Sequence, residues 1–121
     1  MESYINSLPG LKAVWTVPEP GIKTFLSRAA ANGITVIGGL PAAFDDTEIS
    51  EETLKKIEGF FTGSKALFIA AENRSGYPRK DFFDTGYHLK RKAQIRHSAI
   101  IADAMLKKYP SLFPNAAGSN K

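Results

Sequence analysis

Asp84 and His88 are the residues whose types and spacing point most directly to chemistry. They lie in the segment Asp81-Phe-Phe-Asp-Thr-Gly-Tyr-His-Leu89, and His88 is one of only two histidines in the chain. An imidazole titrates near neutral pH, so it can accept a proton and later return it. An aspartate four residues earlier can curl back across a turn, orient the ring and fix its tautomer, as in a Ser-His-Asp relay. The same spacing also fits a histidine that is hydrogen-bonded for structural reasons at a helix start.

The surroundings of the pair are aromatic and basic. Phe82, Phe83 and Tyr87 flank it and could line a pocket for an acyl or sugar group, or could cover the end of a sheet. Seven basic and two acidic side chains lie between Arg74 and Arg96, an excess of +5 in a chain whose formal net charge is +4. This excess indicates either a solvated helix start or a surface that attracts an anionic or polar polymer.

A nucleophile for the pair is not evident. Neither Gly-Asp-Ser nor a Gly-x-Ser-x-Gly elbow occurs in the chain. Ser75 lies on the same loop but in neither motif, so loop polarity is the simpler explanation for it. His97 has no acidic partner close in sequence and is expected at the surface. Asp45 and Asp46 precede a helix start, where the positive end of the helix dipole stabilises carboxylates, so no metal site is predicted.

Apolar patterning predicts alternating strands and helices. Short runs rich in β-branched and aromatic residues predict strands at 11–17, 34–39 and 66–71. Helices are predicted from Pro20 to Asn32-Gly33, from an N-cap at Ser50 to Gly63, and from Lys90 to Tyr109. The core face expected for the last helix comprises Ile95, Ala99, Ala102, Leu106 and Tyr109, broadened by Ile101 and Met105.

This order of elements predicts an α/β fold, with three α/β/α layers around a small parallel sheet. One domain is expected over residues 1–110, followed by a disordered tail at 111–121. Ligands of such sheets bind beyond the carboxyl ends of the strands. The loop 72–87 follows the third predicted strand, so Asp84 and His88 are expected at that kind of position.

Composition limits the remaining possibilities. The 121 residues are 43% apolar and 23% charged, an ordinary globular composition. The absence of cysteine excludes disulfides and thiol catalysis. No apolar run approaches the roughly 20 residues of a transmembrane helix. The first residues lack the basic start and apolar stretch of a signal peptide, and the compartment stays open.

The segment 77–98 resembles the C-terminal signature of the SGNH (GDSL-type) hydrolases and their O-acyltransferase relatives. That signature reads aromatic residues, Asp-Thr, a short spacer, His-Leu and then a helix, which here carries Arg96 and Ser98 where relatives carry Arg and Thr. The weaker resemblance extends over residues 20–107. Three residues separate Asp84 from His88, whereas two are commoner in the family, and the nucleophilic motif is missing.

The resemblance implies part of an SGNH or flavodoxin-like domain in which Asp84 and His88 are catalytic. The expected function is the Asp-His half of a serine esterase or O-acyltransferase. Its substrate would be a small-molecule or carbohydrate ester, including those of cell-envelope polymers, with no cofactor and no nucleic acid. The N-terminal half of the domain, with the nucleophile, is expected outside these residues, so the isolated chain should be inactive. The alternative is a non-catalytic basic module that binds nucleic acid or an anionic glycan.

Overall fold

The computed structural model describes residues 2–115, which divide into two compact units. The first unit comprises Met1–Pro9, Pro41–Asp45 and Ala70–Lys121, and the second comprises Gly10–Leu40 and Asp46–Ile69. The helices are α1 (Glu2–Ser7), α2 (Pro20–Ala31), α3 (Glu51–Gly63) and α4 (Arg91–Lys108). The strands are β1 (Ile37–Gly38), β2 (Ala43–Phe44), β3 (Leu67–Phe68) and β4 (Gly76–Tyr77). Two 3-10 helices span Arg79–Asp81 and Pro110–Leu112.

The α/β class predicted from the sequence is confirmed, but the strands form two parallel pairs. In the second unit β1 pairs with β3, in the register Ile37–Leu67 and Gly38–Phe68. In the first unit β2 pairs with β4, in the register Ala43–Gly76 and Phe44–Tyr77. Each strand has only two residues. The predicted strands at 34–39 and 66–71 are therefore present in shortened form, whereas β2 and β4 lie in segments predicted as loops.

The predicted strand at 11–17 is wrong. This segment makes one isolated parallel bridge, between Lys12 and Glu48. The bridge is held by hydrogen bonds that the Ala13 and Glu48 backbone N–H groups donate to the carbonyls of Glu48 and Leu11, both 2.7 Å long. Val14 and Val17 are exposed. The β-branched side chains thus favour extended backbone here without a neighbouring strand to extend the ladder.

The helix ends follow the local signals in the sequence. Pro20 is the first residue of α2, and Gly33 follows its end with a φ of +70°, which only glycine adopts without strain. At α3, the Ser50 hydroxyl accepts a hydrogen bond of 3.0 Å from the Thr53 backbone N–H, and Glu51 and Glu52 occupy the first turn. The buried residues of the second unit include Leu26 on α2, Phe68 at the end of β3, and Ile69, which follows β3.

The core of the first unit consists of residues from all its parts. Its buried members are Ile5, Phe44, Tyr77, Phe82, Leu89 and Ala93. The rings of Phe44 and Phe82 meet edge to face, with centroids 4.8 Å apart.

The core face predicted for α4 is wrong in its rotation. Ala93 is buried and Ile100 packs on the core, while Ile95 is exposed. The residues of α4 that face the core lie two positions away from the predicted stripe. Apolar residues occur around much of the circumference of this helix, so periodicity did not select the correct face. Within residues 2–115, no helix has the length and hydropathy that crossing a membrane requires. The tail predicted to be disordered spans 111–121. Its residues Ser111 and Leu112 belong to the 3-10 helix Pro110–Leu112, and residues 116–121 lie outside the described part.

Candidate acid–base site

Residues 81–90 form a short antiparallel arm that carries the acid–base pair. Phe82 and Leu89 face each other in an isolated antiparallel bridge. The Phe83 backbone N–H donates to the His88 carbonyl at 2.9 Å, and the Lys90 N–H donates to the Asp81 carbonyl at 2.7 Å. The arm therefore brings residue 84 and residue 88 to the two sides of a closed loop.

The arm is anchored to the first unit by buried apolar groups and an ion pair. Phe82 and Leu89 belong to the core, and the Phe82 side chain is only 2% exposed. The Arg96 guanidinium of α4 donates to an Asp81 carboxylate oxygen at 2.8 Å, and the Asp81 side chain is 16% exposed. These contacts fix both ends of the arm, so its loop is held in one place relative to α4.

Asp84 and His88 meet across the loop at hydrogen-bond distance. The His88 Nδ1 lies 2.7 Å from Asp84 Oδ1. A carboxylate only accepts hydrogen bonds, so the ring donates from Nδ1 and neutral His88 keeps a basic lone pair on Nε2. The side chains of His88 and Asp84 are 60% and 40% exposed, which leaves the imidazole accessible to a reacting group. This is the contact that the four-residue spacing predicts, while the catalytic role stays a prediction.

The arm follows a parallel strand, although not the one expected. The loop predicted at 72–87 contains β4 and the 3-10 helix Arg79–Asp81 before the arm begins. The pair therefore comes after the carboxyl end of β4 in the first unit, whereas the third predicted strand, β3, belongs to the second unit. The pair thus follows a parallel strand, as predicted, but that strand is β4 and not β3.

The three aromatic residues proposed as pocket walls have different environments. Phe82 is buried and packs on Phe44, so its main contribution is to the core. Phe83 is 58% exposed, and Tyr87 is exposed as well. Phe82 and Phe83 border one cavity of about 440 Å³, whereas Tyr87 is not among its lining residues.

Ser75 is in a poor position to be a nucleophile. It is 1% exposed and has a φ of 61°, next to Arg74 with a φ of 52°. The Ser75 backbone N–H donates to the Asn73 side-chain oxygen at 2.9 Å, and its carbonyl accepts from the Ala43 N–H at 2.9 Å. These bonds stabilise a left-handed turn that non-glycine residues adopt at a cost of about 1–3 kcal/mol each. The turn thus serves the β2–β4 junction and does not present a hydroxyl to a substrate.

His97 is not the surface residue that the sequence predicts. It is half-buried on α4, with Nδ1 2.8 Å from the Tyr77 hydroxyl oxygen. The two rings meet edge to face with centroids 5.4 Å apart. Burial disfavours the imidazolium and lowers the pKa of His97 below its ordinary value. The sequence carried no signal for this contact, because the face of α4 that holds Ala93 and His97 was not the one predicted to be buried.

Two of the basic side chains between Arg74 and Arg96 are engaged in contacts within the first unit. The Arg79 guanidinium donates to the Leu8 carbonyl at 2.7 Å and lies 4.3 Å from the centre of the Phe44 ring. Arg96 pairs with Asp81. Within the described part of the chain, no three carboxylate or histidine side chains come together as metal ligands would. The site therefore offers acid–base chemistry from one exposed pair.

Comparison with known proteins does not assign the chain to a family. No family model, no curated protein and no solved structure matches the chain. The Asp84–His88 contact and the motif around it are the features of this chain that point to a function.

Proposed function

We propose that Asp84 and His88 are the acid–base half of a serine ester hydrolase or O-acyltransferase. The observation that carries the proposal is the 2.7 Å contact between the Asp84 carboxylate and His88 Nδ1 on an exposed arm. With Nδ1 engaged by the carboxylate, Nε2 would take a proton from a nucleophile and return it to the leaving group. The resemblance of residues 77–98 to the SGNH signature supports esters as the substrate class, including those of carbohydrates and cell-envelope polymers.

The nucleophile is proposed to come from residues outside these 121. The sequence holds no Gly-Asp-Ser, and Ser75, the serine nearest to the pair in sequence on the N-terminal side, is buried. Imidazole without a nucleophile supplies only a small part of the rate of such a relay. Residues 1–121 alone should therefore hydrolyse p-nitrophenyl acetate no faster than the uncatalysed background.

The role of Asp84 is testable on the chain itself. Long-range ¹⁵N NMR identifies which ring nitrogen of neutral His88 carries the proton. Protonated Nδ1 is expected in the wild type, and Asp84→Ala should return the ring to a mixture of tautomers because the acceptor is gone. Asp103→Ala is the matched control, because that carboxylate lies on α4 in a pair with Lys107. An Nε2–H tautomer in the wild type would contradict the proposed relay.

The catalytic role requires the nucleophile, so its test uses the complete product of the reading frame that encodes these residues. His88→Ala should lower kcat/KM for acetyl esters by on the order of 10³-fold or more, and Asp84→Asn by up to about 10⁴-fold. His97→Gln removes the other histidine and should retain kcat/KM, once circular dichroism confirms that the variant is folded. Unchanged kcat/KM in His88→Ala would refute the proposal, and so would ester turnover by residues 1–121 alone.

The alternative function, a basic module that binds nucleic acid or an anionic glycan, has weaker support. Arg79 and Arg96 are directed at a backbone carbonyl and a carboxylate within the first unit. The exposed arm also carries a carboxylate beside its histidine, which opposes a polyanion at that point. Strong, salt-dependent binding of RNA or DNA would favour this alternative over the esterase.

A further inference from the structure

A cavity of about 440 Å³ lies in the first unit, and its walls combine apolar and basic groups. The apolar lining residues are Ile5, Phe82 and Phe83, of which Phe83 is the exposed one, and the polar lining consists of Asn6, Arg79, Lys80 and Lys90. This volume is within the range of pockets that hold small molecules. Among the side chains that the structure describes, the lining contains three cationic groups and no carboxylate.

The cationic side of the cavity is partly fixed before any ligand arrives. Arg79 is held by its hydrogen bond to the Leu8 carbonyl and by the Phe44 ring beneath it. A cation that stacks on an aromatic face and has one directed hydrogen bond loses little freedom when it meets an anion. Lys80 and Lys90 are exposed, and neither forms a salt bridge with the side chains described, those of residues 4–115.

The carboxylate of Asp81, which is adjacent in sequence to two lining residues, is engaged elsewhere. Asp81 lies between Lys80 and Phe82 in sequence, but its carboxylate pairs with Arg96 at 2.8 Å and is not part of the lining. The cavity therefore has a positive potential beside an apolar wall. Since like charges repel and apolar surface gains by burial, the complementary ligand is an anion with an apolar body.

We infer that this cavity binds a small carboxylate with a short apolar chain. The backbone links it to the acid–base pair, because Phe83 precedes Asp84 in the chain and donates its N–H to the His88 carbonyl. The identity of this ligand can be specified further if the proposed function holds. Hydrolysis of an ester with water releases a carboxylate, an alcohol and one proton. The ligand would then be the carboxylate product, and the substrate class an ester of a short-chain fatty acid.

Binding is measured with the folded chain and hexanoate, by amide chemical shifts in ¹⁵N NMR. A dissociation constant on the order of 1 mM is expected for a ligand of about eight heavy atoms. The shifted amides should be those of Lys80, Phe83 and Lys90. Hexanamide, which lacks the charge, and inorganic phosphate, which lacks the chain, should each bind at least about 5-fold more weakly.

Substitutions separate this site from a general attraction to a basic protein. Lys90→Gln should weaken hexanoate binding about 2- to 5-fold, and Phe83→Ala by a similar factor. Lys92→Gln is the matched control, since Lys92 is an exposed neighbour on α4 outside the cavity lining. It should leave the dissociation constant unchanged.

Three outcomes would overturn the inference. Equal affinity for hexanoate and hexanamide would show that the charge of the ligand does not contribute to binding. An equal loss of hexanoate affinity in Lys90→Gln and Lys92→Gln would show that only the net charge of the protein matters. Neither result depends on the tautomer of His88, which is read separately. A cavity that fails to bind hexanoate while His88 keeps its Nδ1 proton would refute this site and leave the acid–base pair standing.

Discussion

Phe82 and Phe83 are adjacent phenylalanines, but replacing them should change the free energy of unfolding by very different amounts. Phe82 is 2% exposed and meets the Phe44 ring at 4.8 Å, whereas Phe83 is 58% exposed. Truncating a buried phenylalanine to alanine costs about 3–5 kcal/mol, because apolar burial is lost and a cavity remains. Truncating an exposed one changes the free energy of unfolding by no more than about 0.5 kcal/mol.

Urea denaturation measures this difference directly. A chain of 121 residues has a free energy of unfolding of roughly 6–18 kcal/mol, so Phe82→Ala should remove a large fraction of it. With a urea dependence of about 1–3 kcal/mol per molar, the midpoint should fall by at least about 1 M, while Phe83→Ala leaves it nearly unchanged. Circular dichroism follows the helices, and NMR of the Leu89 and Ala93 methyl groups follows the core that contains Phe82.

The same pair of variants tests whether the core positions the acid–base site. Phe82 bridges Leu89 across the arm, so a folded Phe82→Ala variant should also lose the preference of His88 for the Nδ1–H tautomer. Phe82→Leu provides an intermediate step if the alanine variant is too unstable to study. Equal destabilisation by Phe82→Ala and Phe83→Ala, or a loss below about 1 kcal/mol at position 82, would refute the placement of the arm.

Two further predictions concern protonation and packing. Because burial lowers the pKa of His97, the unfolded chain binds more protons than the folded chain below about pH 6.5, so the free energy of unfolding should fall on acidification through that window. Urea titrations at several pH values should show this slope reduced in His97→Gln, and an unchanged slope would exclude His97 as its source. Gly38→Ala should destabilise by about 1–3 kcal/mol, because its Cβ would lie 2.6 Å from the Phe61 ring. Gly59→Ala, in open space within α3, should instead stabilise by roughly 0.5–1 kcal/mol in the same urea assay, and the same sign for both would contradict the packing around Gly38.

The helices were largely predictable because their signals are local. Pro20, Gly33 and Ser50 act through their own backbone or through a residue three positions away, so the ends of α2 and α3 agree with the sequence patterns. The rotation of α4 was not predictable, since its apolar residues surround the helix. Which of them is buried depends on Tyr77 and Phe82, which come from other parts of the chain.

The strands show the opposite case. Ala43–Phe44 and Gly76–Tyr77 have only two residues each and carry no alternation by which a strand could be recognised. Their pairing depends on a partner far away in the chain and on the turn at Arg74 and Ser75. The Leu11–Val17 segment has strong β-propensity but makes a single bridge, because propensity alone does not supply a neighbouring strand.

The sequence by itself placed Asp84 and His88 four residues apart, close enough to meet where the chain closes a short loop. It also determined the ends of α2 and α3 and the basic character of the surrounding segment, whereas α1 was not predicted. Only the tertiary structure decided which phenylalanine is buried, which arginines are held internally, and that His97 faces Tyr77. These outcomes depend on the Phe82–Leu89 bridge and the packing of α4, which join residues through space, and a pattern along the chain does not specify such contacts.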